Sequence, residues 1–444
     1  MYWPSSHRLE GDRKIRRIGK TYYLESYGCS ASFADSEMIA GMLSAEMIKP
    51  VVEVEEADVI IIITCTVKTS TSHRMIHRIR KLSEAEKPIV VAGCMPKTER
   101  NIIESINPNA SLLGPASLEK IIETVDKTIR GIRCVNIQNL PKPKLLLPRI
   151  RRNPIIGIIE ISSGCRGNCN FCQVKIAKGE LISYDNEKIV TEVKQSITDG
   201  CREIWLTSQD NGCYGKDIGT NLPELLRRIL RIENDFRIRL GMMNPHYAEE
   251  MKNEFADLFK DERIFKFLHL PVQSGSGTIL QKMNRPNMST NYIFLTNFLR
   301  EKIPSLTLST DIIVGFPSES DEEFQQTVEL IRRSRPDIVH ISKFKSRPGT
   351  KAEKMKELDP RTINERSELI HKVVKEIAFE NNKRWVGWSG KVMVDEEVKG
   401  AVMARNFAYK PIIIKGKIPL GNTLSVEVIR STSDCLYGEI RQTH

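Results

Sequence analysis

The chain has 444 residues, enough for two to four domains with real cores and no disulfide staples. Lys plus Arg number 67 against 56 for Asp plus Glu, and this formal charge of +11 favours an anionic partner, nucleic acid ahead of a membrane surface. Ten cysteines are too sparse for a disulfide scaffold, no apolar run nears the roughly 18–20 residues that span a bilayer, and residues 1–19 hold no apolar leader, so a reducing, cytoplasmic setting is expected.

Residues 1–19 read as a basic extension. From residue 20, apolar runs at 22–24, 59–63 and 89–92 alternate with helical patterns at 35–43 and 67–82. Strands alternating with helices predict a parallel α/β domain, here over 20–133. The stretch 140–154, LPKPKLLLPRIRRNP, carries four prolines and five basic residues, and a linker is expected over 134–150.

Six further strands are expected at 155–161, 203–207, 237–240, 267–270, 307–314 and 338–344, with helical patterns between them such as 186–199, 222–232 and 321–334. Six such units exceed a small doubly wound sheet and fall short of an eight-fold barrel, so a partial (βα)6 barrel over 151–382 is expected. A long charged helix at 361–386 leads out of it. Residues 383–444 change character: short strands at 390–398, 399–404, 410–415 and 424–429, broken by Gly, Pro and Asn turns, predict a small antiparallel β-barrel. Its segment ARNFAYK groups Arg405, Phe407, Tyr409 and Lys410, basic residues interleaved with rings, which suits stacking on bases and contact with phosphates.

The cysteines carry the chemistry. Cys165, Cys169 and Cys172 form a C-x3-C-x2-C run after the first barrel strand, where such folds bind ligands. Structural zinc usually takes four ligands in two separated pairs, and no second C-x2-C pair exists. Three thiolates on one loop instead suit three corners of a [4Fe–4S] cubane with one iron left open. Cys29, Cys65 and Cys94 each follow a strand of the N-terminal sheet, so three thiols converge on one sheet edge, and Gly28 and Gly93 allow close backbone approach there. They read as a second three-cysteine metal site or as three small buried side chains. Cys134, Cys201, Cys213 and Cys435 share no spacing, and His73 with His77 lacks the intervening Glu of a zinc protease.

At these residues a resemblance is plain. The Cys165–Cys169–Cys172 loop is similar to the signature of radical S-adenosylmethionine enzymes. YGCSASFADSE, ITCTVKT and VAGCMP resemble the N-terminal domain of the methylthiotransferases, and the similarity runs on through IWLTSQDNGCYG, FLHLPVQSGSGTILQKMNR, STDIIVGFPSES and FKSRPGTKA. The C-terminal barrel resembles a TRAM domain, which binds RNA. CRGNCNFCQVKIAKGELISY and RLGMMNPHY are most similar to the archaeal and eukaryotic branch, with Lys178 standing where many members have Arg.

The resemblance implies an enzyme that places a methylthio group on C2 of N6-threonylcarbamoyladenosine beside the anticodon of tRNA, at position 37. It implies two [4Fe–4S] clusters, on Cys165, Cys169 and Cys172 and on Cys29, Cys65 and Cys94. S-adenosylmethionine is implied both as radical source and as methyl donor, with an electron donor such as ferredoxin or flavodoxin, a sulfur source and no membrane as further expectations. Ser208, Gln209, Asp210, Asp311 and Gly315 are the implied cofactor-binding residues; Phe171 reads as a cofactor neighbour or a core ring. Lys178, with Lys175 beside it, is a candidate for the substrate. Gln273 and Ser274 in PVQSGS read as site or as turn. Isopentenyladenosine in tRNA and an aspartate of a ribosomal protein are alternative substrates of related enzymes, and a non-catalytic iron–sulfur RNA-binding protein is the distant alternative.

Overall fold

A computed structural model describes residues 20–67, 69–137 and 142–441, so the expected extension at 1–19 lies outside the described residues. The chain forms two compact units. The first holds residues up to Asn153 together with Cys172–Ile182 and Arg347–Gly349; the second holds the remainder.

The first unit is built on a six-stranded parallel sheet. Its strands are β1 (Thr21–Ser26), β2 (Lys49–Pro50), β3 (Val59–Thr64), β4 (Ile89–Gly93), β5 (Ser111–Leu113) and β6 (Val135–Asn136), in the order β2-β1-β3-β4-β5-β6. The run VIIIIT makes β3 buried at every residue, as a central parallel strand covered on both faces must be. Ile60, Ile62, Met75, Ile79, Val91 and Leu112 form the core on one face.

Within the expected linker at 134–150, the described residues 134–137 and 142–150 are packed against the first unit. β6 falls inside it and extends the sheet. Lys144 is buried and pairs with Asp35 at 2.6 Å, and the Ile150 N–H donates to the Glu37 carbonyl at 3.0 Å. Pro148 lies so close to Gly41 that a Cβ there would stand 2.3 Å from it. The prolines and basic residues that suggested a free segment follow the helix Ser30–Ala45 and neutralise its buried acids.

The second unit contains the six expected strands: β7 (Ile156–Glu160), β10 (Glu203–Thr207), β11 (Arg237–Leu240), β12 (Phe267–His269), β13 (Thr307–Val314) and β14 (Ile338–Lys343). Two short strands, Ser162–Ser163 (β8) and Ile182–Ser183 (β9), bracket the cysteine loop in sequence. All six pair in parallel, but as two sheets, β11-β10-β7 and β12-β13-β14, joined by a single bridge between Ile238 and Ile264. The expected long helix spans Pro360–Lys383, capped by the Asp359 side chain. It is followed by a closed barrel of β15 (Ser389–Val398), β16 (Ala401–Arg405), β17 (Pro411–Lys415), β18 (Thr423–Ser431) and β19 (Leu436–Ile440). β19 was not expected; it closes the barrel by running parallel to β17. Among the described residues no helix is long and apolar enough to cross a membrane.

Candidate metal centres

Three loops leave one end of the first unit's sheet, and each begins at a cysteine. Cys29 follows β1 and stands at the N-terminus of the helix Ser30–Ala45, where backbone N–H dipoles favour a thiolate. Cys65 follows β3, and its N–H donates to Met75 Sδ at 3.2 Å. Cys94 follows β4, and its N–H donates to the Thr64 carbonyl at 3.1 Å. Both neighbouring glycines are sterically required. Gly28 has φ +123°, and a Cβ there would lie 2.3 Å from Cys65 Cβ and 2.9 Å from its Sγ; at Gly93, with φ +93°, it would lie 2.3 Å from the Thr64 carbonyl oxygen.

The three thiols act on one another. A hydrogen bond from Cys65 is the main cause that lowers the Cys29 thiol to about 6. The same bond, burial and the Cys29 charge push Cys65 up. Burial raises Cys94 to about 11, partly offset by the charge of Lys178. One thiol ionises readily and two resist, which is the state expected of a soft, sulfur-only donor set whose remaining protons leave when metal binds. Lys178 is buried, and its charge lowers both Cys29 and Cys94. Lys178, a candidate for the substrate in the sequence, thus stands beside these thiols.

In the second unit, the loop after β7 wraps Gly167, so that a Cβ at this glycine would lie 3.8 Å from both Cys165 Sγ and Cys169 Sγ. The two sulfurs thus face a common centre. Arg285 Nη1 approaches Cys169 Sγ at 3.6 Å while its Nη2 donates to the Pro271 carbonyl at 2.8 Å. Asn170 and Asn284 tie the loop to residues 282–284 by hydrogen bonds of 2.7–2.9 Å. Sequence reasoning missed Arg285: only its place in KMNR, just after the PVQSGS turn, could have pointed to it. Cys172 opens the next helix, Gln173–Lys178.

The other expected site residues surround the same barrel mouth with unequal roles. Gln209 accepts from the Gly164 N–H next to Cys165, so it clamps the cysteine loop. Ser208 donates to Asn211 Oδ1 and so shapes its own turn. Asp210 accepts from Gly212 and Asn244 N–H groups at 3.0 Å each, and burial pushes its carboxyl up to about 6. Gly315 has φ +74° and gives way to Ile363, which would stand 2.5 Å from a Cβ. Phe171 packs on the apolar cluster of Ile279, Met283, Phe316 and Phe344, the core-ring alternative. Ser274 is buried against Thr327 at 3.2 Å and Gln273 takes φ +75°, which makes PVQSGS a built turn. Asp311 lies in mid-strand, with Oδ1 3.2 Å from His269 Nε2, and these two with His340 bring three donor atoms within 4.8 Å on β12, β13 and β14.

The ARNFAYK segment departs from its expected role. Tyr409 is buried between Phe265 and Phe267, with ring centroids 4.9 and 5.3 Å away, and Arg239 lies over all of Trp205, Phe267 and Tyr409. Arg405 pairs with buried Asp395 at 2.8 Å, and Lys410 with Asp337 at 2.7 Å. Tyr409 and Lys410 seat the small barrel on the N-terminal end of the (βα)6 strands, while Arg405 is partly buried and Phe407 is 37% exposed. Beside it, a cleft of about 880 Å³ is lined by Arg202, Lys260, Lys302, Trp388 and Lys391.

Comparison with known proteins agrees with this geometry. Residues 21–114 match the family described as "Uncharacterized protein family UPF0004" and residues 159–331 the Radical SAM superfamily. A "Probable threonylcarbamoyladenosine tRNA methylthiotransferase" of Pyrococcus abyssi is 39% identical over 425 residues, covering 94% of this chain and 99% of that protein. The Homo sapiens "Threonylcarbamoyladenosine tRNA methylthiotransferase" is 34% identical over 447 residues, covering 98% of this chain and 75% of that protein. Among solved structures, the radical S-adenosylmethionine methyltransferase TsrM from Kitasatospora setae, with cobalamin and a [4Fe-4S] cluster bound, shares the fold at TM-score 0.55 and 14% identity, over 76% of this chain and 74% of that one. The chain belongs to the threonylcarbamoyladenosine tRNA methylthiotransferase family of radical S-adenosylmethionine proteins.

Proposed function

We propose that the chain methylthiolates C2 of N6-threonylcarbamoyladenosine, next to the anticodon of tRNA. The observation that carries this is the pair of three-thiol sets, Cys29, Cys65 and Cys94 after three strands of one sheet and Cys165, Cys169 and Cys172 in the loop that follows β7, in a chain whose relatives of that name align over nearly its whole length.

In this reading Cys165, Cys169 and Cys172 hold one [4Fe–4S] cluster and Cys29, Cys65 and Cys94 the other. Gly28 fits such a group, since a Cβ there would stand 2.9 Å from Cys65 Sγ, and Cys165 Sγ and Cys169 Sγ both face the position of Gly167 at 3.8 Å. With S-adenosylmethionine, such a centre supplies a one-electron cleavage and a carbon radical able to take hydrogen from an aromatic C–H, which no side-chain acid or base can do. The chain's own residues prepare the sites. Gln209 fixes the backbone before Cys165, and Arg285 sets a positive charge against Cys169. Lys178 places one beside Cys29 and Cys94, favouring anionic sulfur there.

Binding of tRNA is assigned to the cleft beside Phe407, where Arg202, Lys260, Lys302 and Lys391 line the wall. A soluble electron donor such as ferredoxin or flavodoxin, a sulfur source and a cytoplasmic setting complete the reading.

Nucleoside mass spectrometry tests it. Anaerobically reconstituted protein receives S-adenosylmethionine, reductant, sulfide and tRNA carrying threonylcarbamoyladenosine. A mass gain equal to SCH3 replacing H on that nucleoside is the expected result. Gain only on isopentenyladenosine, or 5′-deoxyadenosine with no tRNA product, overturns the substrate.

A further inference from the structure

One buried guanidinium in the first unit connects three loops that each begin at a cysteine. Arg347 Nη2 donates to Ser72 Oγ at 2.9 Å, to Glu99 Oε1 at 3.1 Å and to Gln173 Oε1. Arg347 and Glu99 are almost fully enclosed, with side chains 9% and 4% exposed. Ser72 lies on the helix Thr69–Ser83 that follows Cys65, the helix whose Met75 sulfur takes the Cys65 N–H. Glu99 ends the turn that starts at Cys94, with its N–H on the Met95 carbonyl at 2.8 Å. Gln173 is the residue after Cys172, and its amide donates back to the Pro348 carbonyl at 3.2 Å. The three partners come from 275, 248 and 174 positions away in sequence, so no local turn explains the arrangement.

A packing role alone would not need a buried charge fanned onto three acceptors. Arginine is the side chain that can bridge three segments from one point while keeping a fixed plane. We propose that Arg347 is a positioning residue that holds Cys172 in register with Cys65 and Cys94, and that it governs delivery of sulfur to the substrate rather than capture of metal. This rests on the reading that these cysteines hold the clusters. The acceptors named lie beside the cysteines in the chain, and substitution of Arg347 leaves all six thiols in place, so each three-cysteine set is expected to keep its ligands. What is lost is the fixed spacing of the loops that carry them.

The test compares wild type, Arg347→Ala, Arg347→Lys and Glu99→Gln, each cluster-loaded, with tRNA carrying threonylcarbamoyladenosine. Iron per chain, 5′-deoxyadenosine, methylthiolated nucleoside and the electron paramagnetic resonance of the reduced clusters are measured. In Arg347→Ala, iron and 5′-deoxyadenosine are expected within about twofold of wild type. Product per 5′-deoxyadenosine falls about tenfold or more, in line with the roughly 100-fold that a 1 Å misplacement can cost. Its cluster spectrum shifts, and Lys, which keeps the charge against Glu99, recovers part of the ratio. An unchanged ratio overturns the proposal, as does loss of iron together with 5′-deoxyadenosine. If the alanine variant does not fold, Glu99→Gln, which cuts the charge but not the shape, decides by the same ratio. If wild type itself makes no methylthiolated nucleoside, the proposed function fails; the spectra then decide, and identical spectra overturn the role of Arg347.

Discussion

At the scale of single residues, the glycines next to cysteines are as telling as the cysteines. Gly28 cannot carry a side chain without displacing Cys65, whose Cβ would be 2.3 Å away, and its φ of +123° strains any L residue. Gly28→Ala is therefore expected to cost about 1–3 kcal/mol in backbone strain and to break the Cys29–Cys65 pairing. Iron content should drop toward that of a single cluster while 5′-deoxyadenosine still forms; full iron content would contradict the geometry. Cys165→Ala and Cys94→Ala separate the two sites more sharply. The first is expected to abolish cleavage of S-adenosylmethionine, the second to spare cleavage and stop sulfur insertion, both read by chromatography of 5′-deoxyadenosine and nucleoside. The six cysteines stood out because spacing and strand ends are visible in the sequence itself. The closeness of Lys178 to Cys29 and Cys94 was not legible, because charged neighbours far away in sequence leave no local mark. Arg285 and Arg347 were missed for the same reason.

At the scale of elements, alternation of apolar runs with helical patterns exposed the six main strands of the (βα)6 unit, most plainly β7, which is buried at every residue. It did not expose β19, LYGEI, where Gly438 replaces a core side chain because Ile412 would lie 2.9 Å from its Cβ. Nor could it show which face of ARNFAYK is covered. Tyr409 takes φ +59° in a turn whose amides, at Ala408 and Lys410, donate to the Asn406 side chain. That turn sends Tyr409 and Lys410 onto the (βα)6 strands and leaves Phe407 the more exposed. One segment therefore yields two opposite expectations. Phe407→Ala is expected to weaken tRNA binding by about 1–3 kcal/mol, the usual worth of one stacked base, with only a small fall in melting temperature from its lost contacts with Trp385 and Trp388. Lys410→Ala leaves buried Asp337 with only the more distant Arg300, at 3.9 Å, and is expected to destabilise by about 3 kcal/mol. Titration against labelled tRNA and thermal melts separate the two; equal effects on both measurements would show that the segment does not divide in this way.

At the scale of the whole molecule, the charge of +11 and the seat of the small barrel lead to opposite dependences on conditions. Affinity for tRNA should fall steeply with salt, because phosphate contacts release counterions. Stability should respond instead to pH, through the buried acids beneath the small barrel. Glu203, at the start of β10, accepts from Trp205 Nε1 at 2.9 Å, and its other oxygen has no hydrogen-bond partner among the described residues. Burial, then the charge of Asp395, pushes its carboxyl up to about 7. The folded state therefore holds a proton that the unfolded chain has already released above its ordinary value. This contribution is complete below the unfolded value and is lost as pH rises through about 7. Stability from this one group therefore falls between pH 6 and pH 8. Glu203→Gln imitates the protonated acid and keeps an oxygen for Trp205. It is expected to match wild type near pH 6, to exceed it at pH 8, and to flatten the slope between them. Anaerobic thermal melts of the cluster-loaded protein at the two pH values measure this directly. A slope equal to that of wild type would place the titrating group elsewhere, with Asp210, raised to about 6 by burial at the barrel mouth, next to be tested by the same comparison.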